Sequence, residues 1–333
     1  MTKTSASTGT GYWEGRRVFV TGCSGLLGSW LTRELRGRGA QVVGLVRDWV
    51  PSARLLVDGT ADEITLVRGD IEDPALLERA LSEYEIQDVF HLAAQAIVGI
   101  ANRNPLPTFK SNIAGSWNVF DACRRVASVR AVVVASSDKA YGTPETLPYD
   151  EGMPLNGRHP YDVSKSCADL LAQTYHATYG LPVCITRCGN FFGGGDLNFS
   201  RIVPGTIRSV LTGKPPVIRS DGTMVRDYIY VRDVVDAYLT LAERMQDPSV
   251  HGEAFNFSTE SRLSVLELTR RILEVMNRPE LEPIVLGEAN HEIHSQYLSA
   301  AKARARLGWA PRYSLEESIA ETTDWYSSFF RER

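Results

Sequence analysis

Short runs of consecutive apolar residues alternate with longer helical patterns through the N-terminal half of this chain. Six runs have the length and composition of β-strands: Arg17–Thr21, Gln41–Val46, Thr65–Val67, Asp88–Leu92, Ala131–Ser136 and Pro182–Arg187. Their apolar residues are continuous rather than alternating, which is typical of strands covered on both faces of a parallel sheet. Strands that alternate with helices also favour right-handed crossover connections. The pattern therefore predicts an α/β protein with a doubly wound parallel sheet.

Three helical patterns accompany these strands. The first runs from about Gly28 to Arg36, and the other two are Pro105–Val126 and Tyr161–Tyr179. Wide apolar stripes follow the two longer patterns: Phe109, Ile113, Trp117 and Phe120 on the first, and Val163, Cys167, Leu170, Leu171 and Thr174 on the second. We expect most of each stripe to face the sheet. The surplus width leaves room for a helix-on-helix contact between two copies of the chain, which predicts a homodimer.

The character of the sequence changes after Arg187. Residues 190–226 are rich in Gly, Pro and Arg and show little periodicity. Beyond them, Ala254–Phe257 predicts one more strand, and Val265–Met276 and Ser314–Phe329 predict helices. We therefore expect a smaller, discontinuous C-terminal domain over the carboxyl ends of the strands, where open α/β sheets bind their ligands.

Composition and charge exclude several classes of partner. The chain has 36 Lys and Arg against 40 Asp and Glu and carries no basic stripe, so we expect no nucleic-acid partner. No apolar stretch approaches the ~18 residues of a membrane span. Five cysteines without a Cys-x-x-Cys or Cys/His cluster favour a reducing compartment and no metal site. Residues 1–14 predict a flexible tail rather than a signal peptide, so we expect a cytoplasmic protein.

A glycine-rich turn lies between the first predicted strand and the first predicted helix. Gly22 allows the tight turn, Gly25 lets backbone approach a pyrophosphate, and Gly28 lets the helix pack close to the strand. The helix N-terminus then faces the phosphates. In this strand-turn-helix context the glycines predict a Rossmann-type dinucleotide site rather than a purely structural turn. The predicted contact set also contains Ser24, Leu26 and Leu27.

Two residues after the second strand bear on the choice of cofactor. Asp48 lies where a carboxylate binds the adenosine ribose 2′-hydroxyl, which favours NAD. Arg47 beside it would instead meet a 2′-phosphate, which leaves NADP open. Further candidate cofactor contacts lie after later strands and on one helix: Asp70, Ile71, Leu92, Ala93, Ala94, Gln95, Asn112 and Ser136. For Asp70 and Ile71 a helix-capping role is an equal alternative, and His91 is expected to be a packed, hydrogen-bonded histidine.

Tyr161 and Lys165 are spaced by one helical turn, downstream of a Ser-Ser turn at a strand end. A free tyrosine has a pKa near ~10, too high for a base at neutral pH. The Lys165 ammonium and the positive charge of an oxidised nicotinamide are both expected to lower the pKa of Tyr161. Ser137 adds a hydroxyl that can hydrogen-bond to the same substrate alcohol. These residues predict a hydride-transfer site in which Tyr161 takes the alcohol proton and in which Tyr161 and Lys165 also contact the cofactor.

Asp138 and Lys139 form a second acid-base pair beside this site. Oxidation of an alcohol does not need them, so either they face water in a turn or the reaction goes further. A 4-keto sugar has an acidified C5 hydrogen, which a base can remove while an acid expels the C6 hydroxyl as water. Asp138 in its protonated form would be that acid, and Lys139 in its neutral form would be that base.

Candidate substrate contacts lie after the sixth strand. Arginine binds phosphate oxygens bidentately, so the candidate clamps for a diphosphate are Arg201, Arg219 and Arg226. Asn190 and Ile202 are further candidates. The glycine run 193–195 is expected to bring backbone near the nicotinamide and the sugar.

Taken together, these residues resemble the extended short-chain dehydrogenase/reductase family of NAD-dependent epimerases and dehydratases. Within it they are most similar to nucleotide-sugar 4,6-dehydratases, in particular those that act on CDP-glucose. The segments that carry the resemblance are Trp13–Gly22, Ser137–Lys139, Arg187–Asn190, Gly193–Asp196 and Lys302–Trp309, with Trp325 and Tyr326 near the end. The resemblance implies a tightly held NAD recycled within each turnover, a nucleotide-diphosphate sugar as substrate, and a dimer.

One segment departs from the CDP-glucose enzymes. Residues 226–233 read Arg-Asp-Tyr-Ile-Tyr-Val-Arg-Asp, as in epimerases and other sugar dehydratases, where Arg-Pro-Trp-Gln-His is expected. The leading hypothesis is a 4,6-dehydratase that makes a 4-keto-6-deoxy sugar nucleotide. A 4-epimerase that uses only Ser137, Tyr161 and Lys165 is the alternative, followed by a non-catalytic NAD(P)-binding protein. The expected domains are 15–188 with about 228–260 for the dinucleotide, and 189–227 with 261–333 for the nucleotide sugar.

Overall fold

The computed structural model describes residues 11–288 and 293–331. Its strands in chain order are β1 (Arg17–Thr21), β2 (Gln41–Val46), β3 (Thr65–Arg68), β4 (Asp88–His91), β5 (Ala131–Ala135), β6 (Val183–Cys188), β7 (Asn190–Phe192), β8 (Val217–Ile218), β9 (Val225–Arg226), β10 (Tyr228–Tyr230), β11 (Ala254–Phe257), β12 (Leu263–Ser264), β13 (Ile284–Val285) and β14 (Ser295–Gln296). The largest sheet contains seven parallel strands in the order β11-β6-β5-β4-β1-β2-β3. The predicted doubly wound parallel sheet is confirmed.

The α-helices in chain order are α1 (Leu26–Gly37), α2 (Arg54–Val57), α3 (Pro74–Glu83), α4 (Val98–Arg103), α5 (Pro105–Phe109), α6 (Gly115–Arg125), α7 (Pro160–Tyr179), α8 (Ile202–Leu211), α9 (Val231–Arg244), α10 (Val265–Val275), α11 (Ala301–Leu307) and α12 (Leu315–Arg331). Short 3₁₀ turns lie at Thr60–Glu63, Asp138–Tyr141 and Pro248–Val250, and a π-helical turn lies at Lys110–Ala114. Across the described ranges, no helix has the length and apolar character needed to cross a membrane.

The strand order reverses between β1 and β4. From β1 the chain proceeds to β2 and β3 on one side, and from β4 it proceeds to β5, β6 and β11 on the other. The two central strands end together, with Thr21 paired to His91. The loops after these strands therefore separate and leave a crevice at the carboxyl edge, which is where sheets of this kind bind ligands.

Both faces of the sheet are buried, as the continuous apolar strands predicted. Successive side chains of β1 point to opposite faces, so Val18 and Val20 join one hydrophobic core and Phe19 joins the other. Helices α1 and α9 cover the first face through Leu31 and Val234. The opposite face is covered by α3, α6 and α7, with Leu77, Phe120 and Ala172 in the second core.

The first helix begins two residues earlier than its predicted start at Gly28. The Gly25 amide donates to the Gly22 carbonyl at 3.0 Å, which closes the turn, and Gly25 is the N-cap of α1. Helical backbone can therefore start at Leu26. Because Leu26 and Leu27 are buried by this early start, they anchor the turn to the sheet.

The apolar stripes of the two longer helices face the sheet only in part. The π-helical turn at Lys110–Ala114 adds a residue to one turn of the helix and rotates the helical turns beyond it. As a result Phe120 is fully buried, whereas Trp117 is 45% exposed. On α7 the sheet side is made of Tyr161, Lys165 and other small or polar residues, and Leu170 is 51% exposed. The expectation that these stripes mainly cover the sheet is wrong for α7.

The C-terminal elements share a core with the sheet instead of forming a separate one. Val203 on α8, Ile272 on α10 and Ile319 on α12 belong to the same hydrophobic cluster as Val18 and Val20 of β1. Short strands complete this part: β7 pairs with β10, β9 with β12 and β14, and β8 with β13. The domain boundaries expected from the sequence stay a prediction.

The segment just before β1 is packed, not loose. Trp13 is fully buried and donates its indole N–H to Glu243 at 2.6 Å. The Tyr12 hydroxyl donates to Asp88 at 3.1 Å. The predicted flexible tail is therefore wrong for these two residues, because an aromatic pair this close to the sheet has apolar surface to bury. Residues 1–10 lie outside the described part of the chain.

Candidate active site

The glycine turn between β1 and α1 brings three pieces of backbone into contact. Gly22 has a φ of +72°, and a Cβ added there would lie 2.8 Å from the Ala93 nitrogen. A Cβ at Gly28 would collide with the Gly22 carbonyl oxygen. Only glycine fits at either position, because the turn must touch both α1 and the end of β4. A Cβ at Gly25, in contrast, would meet just that carbonyl at 3.3 Å, so its outer side is open.

The N-terminus of α1 offers the features of an anion site. Its N-cap, Gly25, has no side chain to cap it, and the first turn holds no acidic residue. The amides of Leu26, Leu27 and Gly28 precede the first intrahelical hydrogen bond, which Ser29 donates to Gly25. These groups fit the pyrophosphate of a dinucleotide. Ser24 lies half-buried at the same turn.

Arg47 is held by two carboxylates at the end of β2. Its Nε donates to Asp48 at 2.7 Å, and its Nη1 lies 3.9 Å from Asp70. A 2′-phosphate would have to displace both partners, so the arrangement suits a ribose hydroxyl better than a phosphate. Helix capping was the alternative role for Asp70, but Asp73 caps α3 by accepting a hydrogen bond from the Leu76 amide at 3.0 Å. Asp70 instead accepts from the Glu72 amide.

Two candidate cofactor residues face inward instead. The Ile71 side chain is buried against Gly115, where an added Cβ would collide with it. Asn112 is 2% exposed in the π-helical turn, where its Oδ1 accepts from the Gln95 amide at 2.7 Å. Its Nδ2 donates to the Gln95 carbonyl and to Ser164 on α7. Asn112 therefore fixes the segment after β4 to α7 rather than presenting free polar groups to a ligand.

A hydroxyl that the sequence reasoning missed organises the end of β4. Thr21 Oγ1 accepts from the Leu92 and Ala93 amides, both at 3.1 Å, and lies 2.9 Å from His91 Nδ1. The other ring nitrogen of His91 lies 3.0 Å from Ser116. Burial, with a smaller contribution from Lys165, lowers the pKa of His91 to about 3. The prediction of a packed, hydrogen-bonded histidine is confirmed.

Tyr161 and Lys165 lie on the buried face of α7, beside the end of β5. Lys165 donates to the Ala135 carbonyl at 2.8 Å, and burial lowers its pKa to about 8 while Asp169 opposes the shift. Burial raises the pKa of Tyr161 to about 12, against the lowering effects of Arg201 and of a hydrogen bond with Ser137. In the protein by itself burial therefore outweighs the charge of Arg201, and the lowering of the Tyr161 pKa expected from Lys165 together with an oxidised nicotinamide stays a prediction.

The residues after β5 place a carboxyl and an amine beside the Tyr161 phenol. Asp138 is 2% exposed, and its Oδ1 accepts from the Ser137 hydroxyl at 3.0 Å. Lys139 Nζ lies 3.4 Å from the same oxygen and 3.5 Å from the Asn190 side-chain oxygen. Within the described residues, Asp138 Oδ2 and the Ser136 hydroxyl are buried without a hydrogen-bond partner. Such atoms fit a substrate and a cofactor that bring donors to them.

The candidate substrate residues separate into different environments. Arg201 forms an ion pair with Asp196 at 3.0 Å, and its positive charge acts to lower the pKa of Tyr161. Ile202 begins α8 beside it. Arg219 is exposed after β8, whereas Arg226 is buried and donates to backbone carbonyls. Arg201 is the clamp candidate with a recorded effect on Tyr161, and the clamp roles of Arg219 and Arg226 stay predictions.

The glycine run 193–195 lies against side chains of three helices, and its expected approach to the nicotinamide and the sugar stays a prediction. The Gly194 carbonyl accepts from the Trp30 indole at 2.8 Å and from Arg54 at 3.4 Å. A Cβ at Gly194 would collide with the Trp325 ring. The run therefore packs α12 against α1 and α2. No group of His, Cys, Asp or Glu in the described ranges is arranged to hold a metal ion.

Comparison with known proteins agrees with this geometry. The model of the NAD dependent epimerase/dehydratase family matches residues 18–257, more than half of the chain. The chain belongs to this family. It is therefore an enzyme of the extended short-chain dehydrogenase/reductase type, and its cofactor is NAD. The turn at Gly22–Gly28, the Arg47–Asp48 pair and the unpaired Ser136 hydroxyl fit that cofactor.

Individual relatives extend over nearly the whole chain. A CDP-glucose 4,6-dehydratase of Salmonella typhimurium is 30% identical over 96% of this chain and 93% of its own length. A UDP-glucose 4-epimerase of Mycolicibacterium smegmatis is 33% identical over 93% of this chain and 98% of its own. The crystal structure of DesIV, a dTDP-glucose 4,6-dehydratase of Streptomyces venezuelae with NAD bound, has a TM-score of 0.84 at 27% identity, covering 94% and 97% of the two chains.

Proposed function

We propose that this enzyme is a nucleotide-sugar 4,6-dehydratase that acts on a CDP-glucose-like substrate and makes a 4-keto-6-deoxy sugar nucleotide. The observation that carries the proposal is the pair Asp138 and Lys139 beside Ser137 and Tyr161. A solvated turn would not bury Asp138 to 2% exposure. An oxidation alone would give this second acid-base pair no task.

The first half of the proposed reaction oxidises the C4 alcohol of the sugar. Tyr161 and Ser137 present two hydroxyls at one place, so together they can hold the C4 hydroxyl and accept its proton. Bound NAD would supply a reversible acceptor that takes the C4 hydride and later returns it to C6. Lys165, fixed to the Ala135 carbonyl, places a positive charge beneath the site.

The second half removes water across C5 and C6. Once C4 is a ketone, the C5 hydrogen is acidic, and Lys139 in its neutral form takes it. Asp138 in its protonated form gives a proton to the C6 hydroxyl, which departs as water. Asp138 Oδ2, buried and without a partner among the described residues, is the atom suited to that hydroxyl. The same Lys139 then returns a proton to C5 as hydride reaches C6.

A 4-epimerase is the second candidate function. It is supported by the similarity to a UDP-glucose 4-epimerase and by the segment 226–233, which reads as in epimerases. In this chain the segment builds the end of β9, β10 and the start of α9, and Asp227 within it is fully buried. Its buried members determine packing more than sugar chemistry. The Asp138–Lys139 pair therefore weighs more than this segment.

The substrate is inferred to be a nucleotide-diphosphate sugar. Arg201 provides the positive charge with the largest lowering effect on the Tyr161 pKa. Its Asp196 partner keeps the guanidinium at the entrance of α8, where one face stays exposed to meet a diphosphate oxygen. Asn190, in contact with Lys139, is suited to a sugar hydroxyl.

We also infer a homodimer formed through α6 and α7. Trp117 and Leu170 are 45% and 51% exposed, and Tyr175 lies with Trp117 on the rim of a shallow surface hollow. Exposed aromatic and aliphatic side chains on two adjacent helices are the composition of an interface.

The deciding experiment incubates the purified protein with CDP-, dTDP- and UDP-glucose and measures product mass. A dehydratase gives a product lighter by one water, whereas an epimerase gives an isobaric product that chromatography separates. Loss of water from CDP-glucose supports the full proposal. Loss of water from another nucleotide supports the reaction but changes the nucleotide. An isobaric product from all three overturns it.

A further inference from the structure

The loop between β7 and α8 carries the arginine to which the proposed function assigns the substrate diphosphate. It covers residues 193–201, and its last residue, Arg201, is the N-cap of α8. The inference made here concerns how this loop is held, and it rests on the proposed function. The Arg201 guanidinium can meet a phosphate oxygen only where the loop places it, so the groups that fix the loop also determine how well the substrate is bound.

One buried carboxylate ties Arg201 to its own loop. Arg201 Nη1 donates to Asp196 Oδ2 at 3.0 Å, and the other oxygen of Asp196 accepts from the Asn198 amide, also at 3.0 Å. Asp196 is 5% exposed, whereas the side chain of Arg201 is 39% exposed. The ion pair thus joins a buried anion to an accessible cation. Because Asp196 cannot move without moving the pair, its position sets the position of the guanidinium.

Two side chains from distant helices hold the backbone of this loop. Trp30 on α1 donates its indole N–H to the Gly194 carbonyl at 2.8 Å. Tyr326 on α12 donates its hydroxyl to the Asp196 carbonyl at 2.6 Å. Gly194 also lies directly against α12, since an added Cβ would be 2.4 Å from the Trp325 ring. The loop is therefore fixed between α1 and α12 at the residues that lead to Arg201.

Arg54 supports the Trp30 ring from the other side. Its guanidinium carbon lies 3.7 Å from the centre of that ring, and its Nη1 donates to the same Gly194 carbonyl at 3.4 Å. Arg54 is 5% exposed, so the cation lies over the indole face in a site with little water. A cation–π contact is stronger in such surroundings than at an exposed surface. The contact holds the indole in the orientation that directs its N–H to the loop.

Trp30 also belongs to the helix that binds the cofactor. Helix α1 begins at Leu26, where its free amides fit the pyrophosphate, and Trp30 lies about one helical turn further along. The hydrogen bond from Trp30 to Gly194 therefore connects the cofactor-binding helix directly to the loop that carries Asp196 and Arg201.

We propose that Trp30, supported by Arg54, is a positioning residue for the nucleotide sugar. It holds the loop so that Asp196 presents Arg201 to the diphosphate, and it acts through Arg201 rather than on the reacting atoms. The diphosphate is remote from C4, C5 and C6 and is held alike before and during the reaction. Displacing Arg201 therefore weakens binding uniformly, which raises KM and leaves kcat unchanged.

The first test is Trp30→Phe, which removes the N–H donor and keeps an aromatic ring for Arg54. The substrate is CDP-glucose, or dTDP- or UDP-glucose if that is what the wild-type enzyme dehydrates. KM should rise about 3- to 10-fold, the range set by the net contribution of one hydrogen bond, while kcat stays within about twofold. Tyr326→Phe, which removes the other hydrogen bond to the loop, should change KM in the same direction. Both variants should retain as much NAD as the wild type.

Trp13→Phe is the matched control. Trp13 is a fully buried indole that donates to Glu243 at 2.6 Å, and it precedes β1 rather than contacting the loop. W13F should lose at least as much stability in urea as W30F, because its lost hydrogen bond was to a charged group, but it should keep the wild-type KM. An equal rise of KM in W13F would show that W30F acts through general destabilisation, and the proposal would fail.

A double-variant cycle tests whether Trp30 acts through Arg201. R201Q should raise KM by itself, and W30F/R201Q should raise it little further, because the group that Trp30 positions is already gone. Fully additive effects, or an unchanged KM in W30F alone, overturn the positioning role while leaving the dehydratase reaction intact.

Failure of the proposed function gives a different pattern. If the wild-type enzyme turns over none of the three nucleotide sugars, equilibrium titration with CDP, dTDP and UDP replaces KM. Weaker binding of a nucleoside diphosphate by W30F than by the wild type then supports the positioning role alone, and equal binding overturns it. A wild-type protein that binds none of the three overturns the substrate class together with the positioning role.

Discussion

The two acid-base pairs of the candidate site are built in opposite ways. Tyr161 and Lys165 lie on α7, a helix of 20 residues, and Lys165 is fixed by a 2.8 Å hydrogen bond to a strand carbonyl. Asp138 and Lys139 lie on a single 3₁₀ turn of four residues. The contacts of Lys139 are longer, at 3.4 and 3.5 Å, and its side chain is 21% exposed.

This difference matches the tasks proposed for the pairs. Oxidation needs the alcohol, the phenol and the cofactor in one fixed geometry, and a long buried helix supplies that rigidity. Elimination needs a base that reaches C5 only after C4 has been oxidised. A lysine with weak contacts can move toward the sugar at little cost, since it gives up no short hydrogen bond.

One buried arginine supports both pairs. Arg187 donates to both carboxylate oxygens of Asp169 at 2.8 and 2.9 Å, and Asp169 lies one turn after Lys165 on α7. The same guanidinium donates to the Tyr141 hydroxyl at 2.9 Å, and Tyr141 ends the 3₁₀ turn that begins at Asp138. Arg187 therefore supports both the Tyr161–Lys165 pair and the Asp138–Lys139 pair.

Removing the phenol should have the largest effect. Tyr161→Phe is expected to lower turnover by about 10²–10⁴-fold, because Tyr161 accepts the C4 proton and the second half-reaction needs the C4 ketone that results. NAD should stay bound, since the turn at Gly22–Gly28 is unchanged. Turnover and cofactor content of the purified variant are the measurements. Tyr179→Phe, at an exposed tyrosine on the same helix, is the matched control. More than about a hundredth of the wild-type rate in Y161F would contradict the assignment.

Substituting Asp138 or Lys139 should stop the reaction after the oxidation of C4. Asp138→Asn and Lys139→Met are expected to block water loss but still allow the first oxidation, which needs only Ser137, Tyr161, Lys165 and NAD. Nicotinamide absorbance should report reduction on addition of substrate. Solvent deuterium should fail to enter C5 in K139M. Lys214→Met, at an exposed position, controls for loss of a lysine.

The outcome separates the two enzyme hypotheses. If D138N and K139M both keep full activity and the product is isobaric with substrate, the enzyme is an epimerase and the pair has no catalytic task. Loss of the first oxidation in both variants would instead show that the two pairs are not separable in the way that their geometry suggests.

Breaking the Arg187–Asp169 ion pair should lower the stability of the fold more than it lowers turnover. Asp169→Asn leaves the buried Arg187 without its charged partner, which typically costs ~3–5 kcal/mol in the free energy of unfolding. Asp121→Asn, which removes a partly exposed partner of Arg124 and Arg125, should cost no more than ~1 kcal/mol. Urea denaturation measures both, and equal losses would refute the shared role.

Asp169→Asn should also shift the pH dependence of turnover. The Asp169 carboxylate opposes the burial that lowers the pKa of Lys165 to about 8. Without that carboxylate the pKa of Lys165 falls further, so Lys165 loses its proton at a lower pH. The alkaline limb of turnover in D169N should therefore shift to lower pH, and an unchanged or upward shift would contradict the contact.

The cofactor half of the site could be predicted from sequence because its determinants are local. The turn from Gly22 to Gly28 and the Tyr161–Lys165 spacing each lie within one short segment, and local geometry brings their members together. The Tyr161 pKa could not be predicted the same way. Its direction is decided by burial under residues distant in sequence, and Arg201, the strongest lowering charge, is 40 positions away.

The substrate half resisted prediction for two physical reasons. Helix α8 is hidden in the sequence because Pro204 and Gly205 interrupt its apolar spacing, although proline is tolerated in a first helical turn. The prediction that Arg226 is a phosphate clamp rests on side-chain type alone, which cannot show its surroundings, and it stays a prediction. Its guanidinium is bound by the carbonyl of His294, 68 residues further along the chain. A contact between residues so far apart along the chain leaves no trace in the local sequence pattern.

The smallest effect on chemistry is expected from breaking the inferred dimer. Trp117→Glu with Leu170→Glu places charges on the exposed faces of α6 and α7, away from the buried face that carries Tyr161 and Lys165. The double variant should be a monomer by light scattering at micromolar concentration and should keep most of its turnover, because the α7 pair is held by the sheet. Leu286→Glu, at an exposed apolar residue elsewhere, should leave the dimer intact. A monomeric wild-type protein, or a dimeric double variant, would show that this face is not the interface. A monomer that loses turnover as severely as Y161F would show that the rigidity of the first pair comes from the partner copy rather than from the sheet.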